Sequence, residues 1–390
     1  MNNFPAGGKH QTLHLGYLDS LRALAALYVV VTHALRHFAI PVDSRLYQLT
    51  NPFRHGHQAV DLFIVLSGFC LMLPVVRHNG LLREGSWQFF QKRAQRILPP
   101  YLMALLLSLF FILTILGDKT GTLWDKCIPV HNRDLVYHLL LLQDVFEDTA
   151  STINYAFWSI SVEWRIYFLF PLLVVLWRQW GALQVTMIML VGSLALWFAL
   201  LPTSLNMNDE GIAPQYVGLF TLGMLAAHVA FAPGNSMVVL RSRVGWKTLF
   251  ILTAINMLLI GSGHGLMQQG FIRHYTGLID VAVGLYIAWF LVMLASGKLS
   301  LMHRLLSWQP LVFVGSFAYS IYLMHAPLLQ IIWQYVLSPL HLDLGPAVLF
   351  LTLLGTGLIT GLSYLFFLVV EQPFVMKRKA LEPDLAKRMG

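Results

Sequence analysis

Residues 182–201 read ALQVTMIMLVGSLALWFALL and contain no Asp, Glu, Lys or Arg. A helix of this length rises about 30 Å, which is the thickness of the hydrocarbon core of a bilayer. The 390-residue chain repeats this pattern: 57% of its residues are apolar and 11% are charged, whereas a soluble domain carries about 25% charged residues. This composition excludes a disordered chain, a coiled coil and an ordinary soluble domain. It predicts an all-α polytopic membrane protein.

Apolar blocks of this kind predict about ten transmembrane helices. They lie near residues 17–36, 59–76, 98–117, 157–177, 182–201, 214–232, 247–263, 276–296, 311–337 and 346–370. This leaves no room for a second globular domain. We therefore expect a cytoplasmic N-terminal tail (1–16), a transmembrane domain (17–370) and a basic cytoplasmic C-terminal tail (371–390).

The distribution of basic residues predicts the orientation. With the N-terminus in the cytoplasm, seventeen of the 26 Lys and Arg fall in cytoplasmic segments and six in external ones. Because basic residues cluster on the cytoplasmic side, this places both termini in the cytoplasm. The net charge of +8 then reflects membrane orientation, and we expect the lipid bilayer as a partner and no nucleic acid. The longest external segment, 118–156, is predicted to form a re-entrant or interfacial piece.

Ionisable side chains inside the spans are candidates for function, because a charge at membrane depth costs a few kcal/mol. Arg22 and His33 lie on the first span, eleven residues apart. This spacing separates them by about 16 Å along the axis and by only about 20° around it. One helical face therefore offers a cation near the cytoplasmic end and an imidazole nearer the external end.

Other spans add to these two layers. Asp61 lies near the external end of the second span, Glu163 about two turns into the fourth, and His325 near the middle of the ninth. The outer half of the bundle is thus expected to collect imidazoles and carboxylates. Arg93 and Arg96, three residues apart, precede the third span on the cytoplasmic side.

The inner layer suits an anionic donor. Arg93 and Arg96, together with Arg22, are predicted to hold a phosphate-bearing molecule at the cytoplasmic face, because guanidinium forks match phosphate geometry.

The outer layer suits proton transfer. His33 is predicted to act as a general base, since an imidazole titrates near neutral pH. Glu163 or Asp61 would orient its ring and stabilise the charged form, as a carboxylate does in a catalytic triad. An acceptor hydroxyl would then enter from outside.

Six segments carry a resemblance to a known family. They are Tyr17–Leu27 followed by His33, Ala59–Phe69, Arg93–Arg96, Trp158–Glu163, Tyr319–Leu323 with His325 and Pro327, and Glu371–Pro373. In this order and over nearly the whole chain, they resemble the motifs of the membrane-bound acyltransferase 3 family. One departure is Trp164–Arg165 after Glu163, where relatives often have a second acid and a Gln.

The resemblance implies a ten-span enzyme that transfers an acyl group, commonly acetyl, from a cytoplasmic acyl-CoA to a hydroxyl of an extracytoplasmic carbohydrate or glycolipid. Acyl-CoA would be a co-substrate, and no tightly bound cofactor is expected. His33, Glu163 and Asp61 are then the catalytic candidates, and Arg22, Arg93 and Arg96 bind acyl-CoA. We assign His325 and Tyr322, one turn apart, to acceptor binding.

Other interpretations remain open. Buried His, Asp and Glu side chains also suit a proton-coupled transporter of a small polar solute or glycolipid, although the chain shows no repeated halves. A structural role in a glycan-assembly complex is a third reading. Within the enzyme hypothesis, a covalent acyl-His relay is an alternative to direct attack. The acyl chain, the acceptor and homo-oligomer formation are left open.

Some residues receive no catalytic role. His33 and His37 have the spacing of a metal pair but no suitable third ligand, so no metal site is predicted. Cys70 and Cys127 form no disulfide framework and are expected to be structural. Asp280, in the eighth span, has no assigned role.

Overall fold

The computed structural model describes residues 15–83, 85–208, 210–267 and 275–374, with the backbone alone for 260–267. Most of the predicted N-terminal tail and residues 375–390 of the predicted C-terminal tail lie outside this range. The described residues contain helices and turns and no strand.

The helices, numbered in chain order, are α1 Gly16–Leu35, α2 Arg45–Thr50, α3 Gly56–Arg77, α4 Gly85–Thr114, α5 Asn132–Leu140, α6 Glu147–Ala150, α7 Trp158–Trp180, α8 Ala182–Leu200, α9 Tyr216–Phe231, α10 Asn235–Arg243, α11 Trp246–Met267, α12 Thr276–Ala295, α13 Ser300–Leu306, α14 Gln309–Gly315, α15 Ala318–Ile332, α16 Leu344–Leu349 and α17 Thr356–Phe366. Short 3-10 helices lie at Asn51–Phe53, Leu123–Cys127, Gln143–Val145 and Ser338–Leu340. Wider π-helical turns lie at Trp333–Leu337, Phe350–Gly355 and Phe367–Glu371.

The helices are long and apolar enough to make this an integral membrane protein. In the described part of the chain, seven helical segments meet the length and composition needed to cross a bilayer: Gly16–Leu35, Arg45–Arg77, Gly85–Thr114, Trp158–Trp180, Ala182–Leu200, Thr276–Ala295 and Leu344–Phe374. Two bent pairs, Tyr216–Phe231 with Asn235–Arg243 and Gln309–Gly315 with Ala318–Leu340, raise the number to nine when each pair counts as one span.

Nine predicted blocks coincide with these segments. The remaining block, 247–263, corresponds to α11, of which Trp246–Leu259 is the apolar part within the residues whose side chains are described. That part is shorter than a span, so the number of ten stays a prediction.

The centre of the bundle is formed by α1, α3, α9 and α15. α3 and α9 pack with their backbones in contact, because a Cβ atom at Gly68 would lie 2.0 Å from the Phe220 carbonyl oxygen and one at Gly223 would lie 2.0 Å from that of Val65. Only glycine permits this approach. Helices at the periphery are different: α8 exposes large apolar side chains such as Leu183 and Val191, as a lipid-facing helix does.

The predicted ninth span, 311–337, is not one continuous helix. It breaks between Gly315 and Ala318, and the two parts are bent by 69°. At the break Gly315 meets the backbone of α1, where its Cβ would lie 2.0 Å from the Asp19 carbonyl oxygen. Both α14 and α15 pack against α1, and the residues around the break border a cavity described below.

The segment 118–157 folds into the bundle. Trp124, Asp144 and Asn154 are fully buried, and residues 152–160 form an unbroken buried stretch. Arg165 on α7 forms a two-pronged ion pair with Asp144, which ties the segment to the spans. α7 therefore begins inside the protein at Trp158, below the rim of the bundle.

Candidate active site

His33 and His325 form a hydrogen-bonded pair in the interior. His33 Nδ1 lies 2.8 Å from His325 Nε2, and His325 Nδ1 lies 2.7 Å from the Tyr322 carbonyl oxygen. A carbonyl only accepts, so Nδ1 of His325 carries a hydrogen and, in the neutral ring, its Nε2 accepts from Nδ1 of His33. A neutral His33 then has its lone pair on Nε2. This is the form that a general base requires.

The His33 ring borders a cavity of about 560 Å³ at the end of the bundle where α1 ends, which we call the His33 cavity. Its wall includes Gly56 and His57 from the start of α3, Trp158 from the start of α7 and Tyr322 from α15. Among the described residues His33 Nε2 has no hydrogen-bond partner, so a molecule in the cavity can reach the nitrogen that carries the lone pair.

Toward the other end of the bundle lies a smaller cavity of about 130 Å³, which we call the Arg22 cavity. Arg22, Arg93 and Arg96 all border it, together with the carboxylates Glu163 and Glu371. Arg93 and Arg96 lie on α4, which begins at Gly85 and is longer than the predicted third span. Three guanidinium groups at one small cavity give it the character of an anion-binding site.

Hydrogen bonds hold the side chains of the Arg22 cavity in place. Arg22 donates to Asp19 at 2.6 Å and to the thiol sulfur of Cys70 at 2.9 Å. Tyr167 donates to Glu163 one turn before it on α7, and its oxygen lies 3.0 Å from the hydroxyl of Ser67 on α3. The Glu163 carboxylate is therefore oriented by α7 itself and by α3.

The two cavities adjoin at Tyr322 and Val60, which border both. The Tyr322 hydroxyl lies 2.7 Å from that of Ser159, and the Tyr322 ring packs edge-on against Phe63. Arg22 and His33 thus border two cavities on the side of α1 that faces α3, with Tyr322 as the principal side chain between them.

A comparison with protein-family models matches residues 15–368 to a family described as an acyltransferase domain. The chain belongs to this acyltransferase domain family. The match covers the His33 cavity and every residue that borders the Arg22 cavity except Glu371.

Curated relatives agree with this membership. The chain is 25% identical over 331 residues to the peptidoglycan O-acetyltransferase OatA of Listeria monocytogenes, covering 80% of this chain and 49% of that protein. It is 26% identical over 387 residues to the putative peptidoglycan O-acetyltransferase YrhL of Bacillus subtilis (93% and 56%). It is 22% identical over 390 residues to the O-acetyltransferase OatA of Staphylococcus aureus (97% and 60%). The chain therefore spans about half to three fifths of their length. No solved structure gives a significant match.

The acyltransferase domain places two carboxylates differently from our expectation. The sequence predicts Glu163 or Asp61 beside His33, but His325 forms the hydrogen bond to Nδ1 of His33 and Glu163 borders the Arg22 cavity. The physical reason for the Glu163 position is that α7 starts inside the protein, so that a residue five positions along it already lies deep. We predicted that His325 binds the acceptor. In the structure one of its ring nitrogens contacts His33 and the other contacts the Tyr322 carbonyl oxygen.

Asp61 belongs to a separate buried group. His57, Asp61 and Asp280 each bring one possible ligand atom within 4.8 Å of the others. His57 Nε2 lies 3.1 Å from Asp280, and Gln215 donates to the other Asp280 oxygen at 2.8 Å. Within the described part of the acyltransferase domain this is the group that could hold a metal ion. His37 belongs to no such group among the residues that the structure describes, and its Nδ1 lies 2.8 Å from the His33 carbonyl oxygen.

Sequence reasoning missed several side chains of the two cavities. Tyr167 was detectable by its i+4 spacing from Glu163, and Cys70 by its position one turn after Ser67. Glu371, which we place at the start of the C-terminal tail, instead lies on a helix that continues to Phe374, where Ser320 donates to it at 2.6 Å. Its Glu-Gln-Pro motif was the available signal.

Proposed function

We propose that this chain is a membrane O-acyltransferase that moves an acetyl group from acyl-CoA to a hydroxyl of an extracytoplasmic glycan. The observation that carries the proposal is the His33–His325 pair. It leaves His33 Nε2 as a base at the wall of one cavity, next to a second cavity bordered by three arginines. Membership of the acyltransferase domain family and relatives that are peptidoglycan O-acetyltransferases support the reaction class and the glycan acceptor.

The Arg22 cavity is the proposed donor site. Arg93 and Arg96 contact the phosphates of acyl-CoA, while Arg22, deeper along α1, faces the thioester end. The cavity of about 130 Å³ is too small for a whole nucleotide thioester, so the nucleotide stays at the rim and only the acyl-bearing arm enters. Glu163 and Glu371 contribute negative charge at this site and accept hydrogen bonds from Tyr167 and Ser320. In this scheme Glu163 is not the partner of His33.

The His33 cavity is the proposed acceptor site. His33 Nε2 takes the proton of an acceptor hydroxyl as its oxygen attacks the thioester carbonyl carbon. A carbon–oxygen bond forms, the carbon–sulfur bond breaks, and the CoA thiolate leaves. The proton held on His33 Nε2 then passes to the thiolate, which restores the neutral base. His325 stabilises the imidazolium that forms on His33 by keeping its own Nε2 lone pair toward it. In the alternative relay, Nε2 attacks the thioester first and the carbon–sulfur bond breaks to release the CoA thiolate. The acceptor oxygen then attacks the acyl-imidazole, the carbon–nitrogen bond breaks, and the hydroxyl proton passes to the thiolate.

This assignment carries a membrane orientation. The Arg22 end faces the cytoplasm, where acyl-CoA is found, and the His33 end faces outward. Both termini are then cytoplasmic with ten spans, and the membrane is a bacterial inner membrane. No resident cofactor is needed in this mechanism.

The test compares cells that lack the gene with cells that express the wild-type chain or His33→Ala. We expect mass spectrometry of surface glycans and lipid-linked sugars to show added acetyl groups with the wild-type chain and none with His33→Ala at equal expression. His131→Ala is the matched control, because the His131 side chain is 67% exposed and borders neither cavity. Full acetylation in the His33→Ala cells would refute both the base and the relay.

A further inference from the structure

Two arginines of the His33 cavity have no acidic partner among the described residues. Arg36 follows directly after the last residue of α1, one turn beyond His33, and Arg54 precedes α3; both border the cavity. Neither forms an ion pair or a side-chain hydrogen bond with any residue that the structure describes. They lie close enough for their charges to repel each other.

The acidic side chains of the same cavity are largely engaged elsewhere. Asp148 pairs with Arg133 at 2.7 Å. Glu210 accepts a hydrogen bond from Ser151 and lies 3.5 Å from the Lys126 ammonium group. The remaining acid of the described wall, Glu147, is exposed. Within the described wall of the cavity, none of these acids therefore pairs directly with Arg36 or Arg54.

Arg54 is held by contact with an aromatic ring, and two of its nitrogen atoms form no hydrogen bond with the described residues. Its guanidinium lies over the ring of Tyr47, 4.6 Å from the ring centroid. Its Nε and Nη2 atoms are buried and have no hydrogen-bond partner in the described part of the chain. A buried charged donor without a partner is unfavourable, and a planar anion that accepts two hydrogen bonds removes this cost.

We infer that Arg36 and Arg54 bind an acidic group of the acceptor, so that the acceptor glycan is a sugar bearing a carboxylate or a phosphate. An anion bound between them lies one helical turn from His33. It therefore fixes the sugar with a hydroxyl near Nε2 of that ring. This inference rests on the proposed function for the identity of the site, but the binding itself requires no acyl transfer.

The test is equilibrium binding to the purified full-length chain in detergent with three probes: methyl β-D-glucuronide, glucose 6-phosphate and the neutral methyl β-D-glucoside. We expect at least one acidic probe to bind about tenfold or more tightly than the glucoside, since a charge-assisted hydrogen bond contributes about 1.5–3 kcal/mol. The acidic probe that binds more tightly identifies the anion. Equal affinity for all three would overturn the inference.

Variants test whether these two arginines cause the tighter binding of the acidic probe. Arg36→Gln and Arg54→Gln should each abolish most of the difference in affinity between the acidic probe and the glucoside. Arg45 is exposed and does not border the cavity, so Arg45→Gln should retain this difference. Arg36 is itself exposed, so Arg36→Gln will fold even if Arg54→Gln does not. An undiminished preference in Arg36→Gln would overturn the inference.

Donor binding separates this inference from the proposed function. Acetyl-CoA affinity should be unchanged in Arg36→Gln, because the donor occupies the other cavity. Selective binding of an acidic probe together with no acetyl transfer to any glycan would refute the proposed function but not this inference. Acetyl transfer that is equally efficient to acidic and neutral sugars would refute this inference but not the proposed function.

Discussion

The Nε2 atom of His325 and the Nδ1 atom of His33 are 2.8 Å apart, and the Tyr322 carbonyl oxygen on the far side of His325 determines the direction of the hydrogen bond between them. Replacing His325 with Ala removes this restraint, so that His33 can rotate and exchange tautomers. We expect acetyl transfer to fall about 100-fold or more, since general-base catalysis contributes about 10²- to 10⁴-fold.

His325→Asn distinguishes positioning from a structural role, because an amide oxygen can accept from Nδ1 of His33. This variant should recover part of the rate and leave the KM for acetyl-CoA unchanged. A similar loss in both variants accompanied by a lower unfolding temperature would instead assign His325 to packing.

Tyr322 is expected to limit the length of the acyl group, because it is the principal side chain between the two cavities. Tyr322→Leu shortens this side chain and should raise the rate with butyryl-CoA relative to acetyl-CoA about tenfold, the scale on which pockets discriminate between substrates by methylene groups. Tyr322→Phe retains the ring and loses only the hydrogen bond to Ser159, so its chain-length profile should match the wild type. Identical profiles for Tyr322→Leu and the wild type would contradict this.

Cys70 provides a native reporter of the Arg22 cavity. It borders the cavity beside Arg22, whereas the only other cysteine, Cys127, is fully buried. N-ethylmaleimide should therefore modify Cys70 first, and bound CoA should slow the modification. Peptide mass spectrometry measures both, with Cys70→Ser as the unreactive control. Modification of Cys70 at the same rate with and without saturating CoA would place the donor elsewhere.

Arg96 is expected to act in donor binding. Arg96→Gln should raise the KM for acetyl-CoA about 10- to 100-fold, since a charge-assisted hydrogen bond contributes about 1.5–3 kcal/mol, and should leave kcat nearly unchanged. Arg83→Gln, at an exposed position outside both cavities, serves as the control. An unchanged KM in Arg96→Gln would exclude Arg96 from the donor site.

The buried His138 predicts acid sensitivity in the segment between the third and fourth spans. Its Nδ1 donates to the Asp134 carbonyl oxygen at 2.9 Å, and burial lowers its pKa from 6.5 to about 4. Between these values the unfolded chain binds a proton that the folded chain does not, so stability falls as the pH decreases through this window, by at most about 3 kcal/mol.

The measurement is the thermal unfolding midpoint between pH 7 and pH 4, taken on the wild type and on His138→Gln. The variant is expected to be less stable at pH 7 but to lose less stability on acidification. Parallel pH curves for the two chains would show that His138 does not contribute.

Hydropathy was sufficient to predict the helices, because a backbone in hydrocarbon must satisfy its hydrogen bonds within each helix. The eighth predicted span, 276–296, differs from α12 by one residue. Helical periodicity also placed Arg22 and His33 on one face, and both border cavities that face α3.

Contacts between distant segments could not be predicted in this way. His33 and His325 are 292 residues apart, and their meeting depends on how α1 packs against α15. The depth of Glu163 depends on where α7 begins, which is decided by the burial of residues 152–157. The ion pair between Arg165 and Asp144 could not be predicted either. Asp144 lies in a segment with many polar residues, and such a composition does not indicate that the segment is buried.

The backbone contact of α3 with α9 at Gly68 and Phe220 leaves no clearance for these two helices to slide past one another. α3 carries wall residues of both cavities, so both cavities lie beside this close α3–α9 contact. A carrier that alternates between inward-open and outward-open shapes by sliding α3 along α9 would have to break this contact. In the mechanism we propose, the sugar stays on the outer side of the bilayer, and only the two-carbon acetyl group has to pass the side chains of Tyr322 and Val60 between the two cavities.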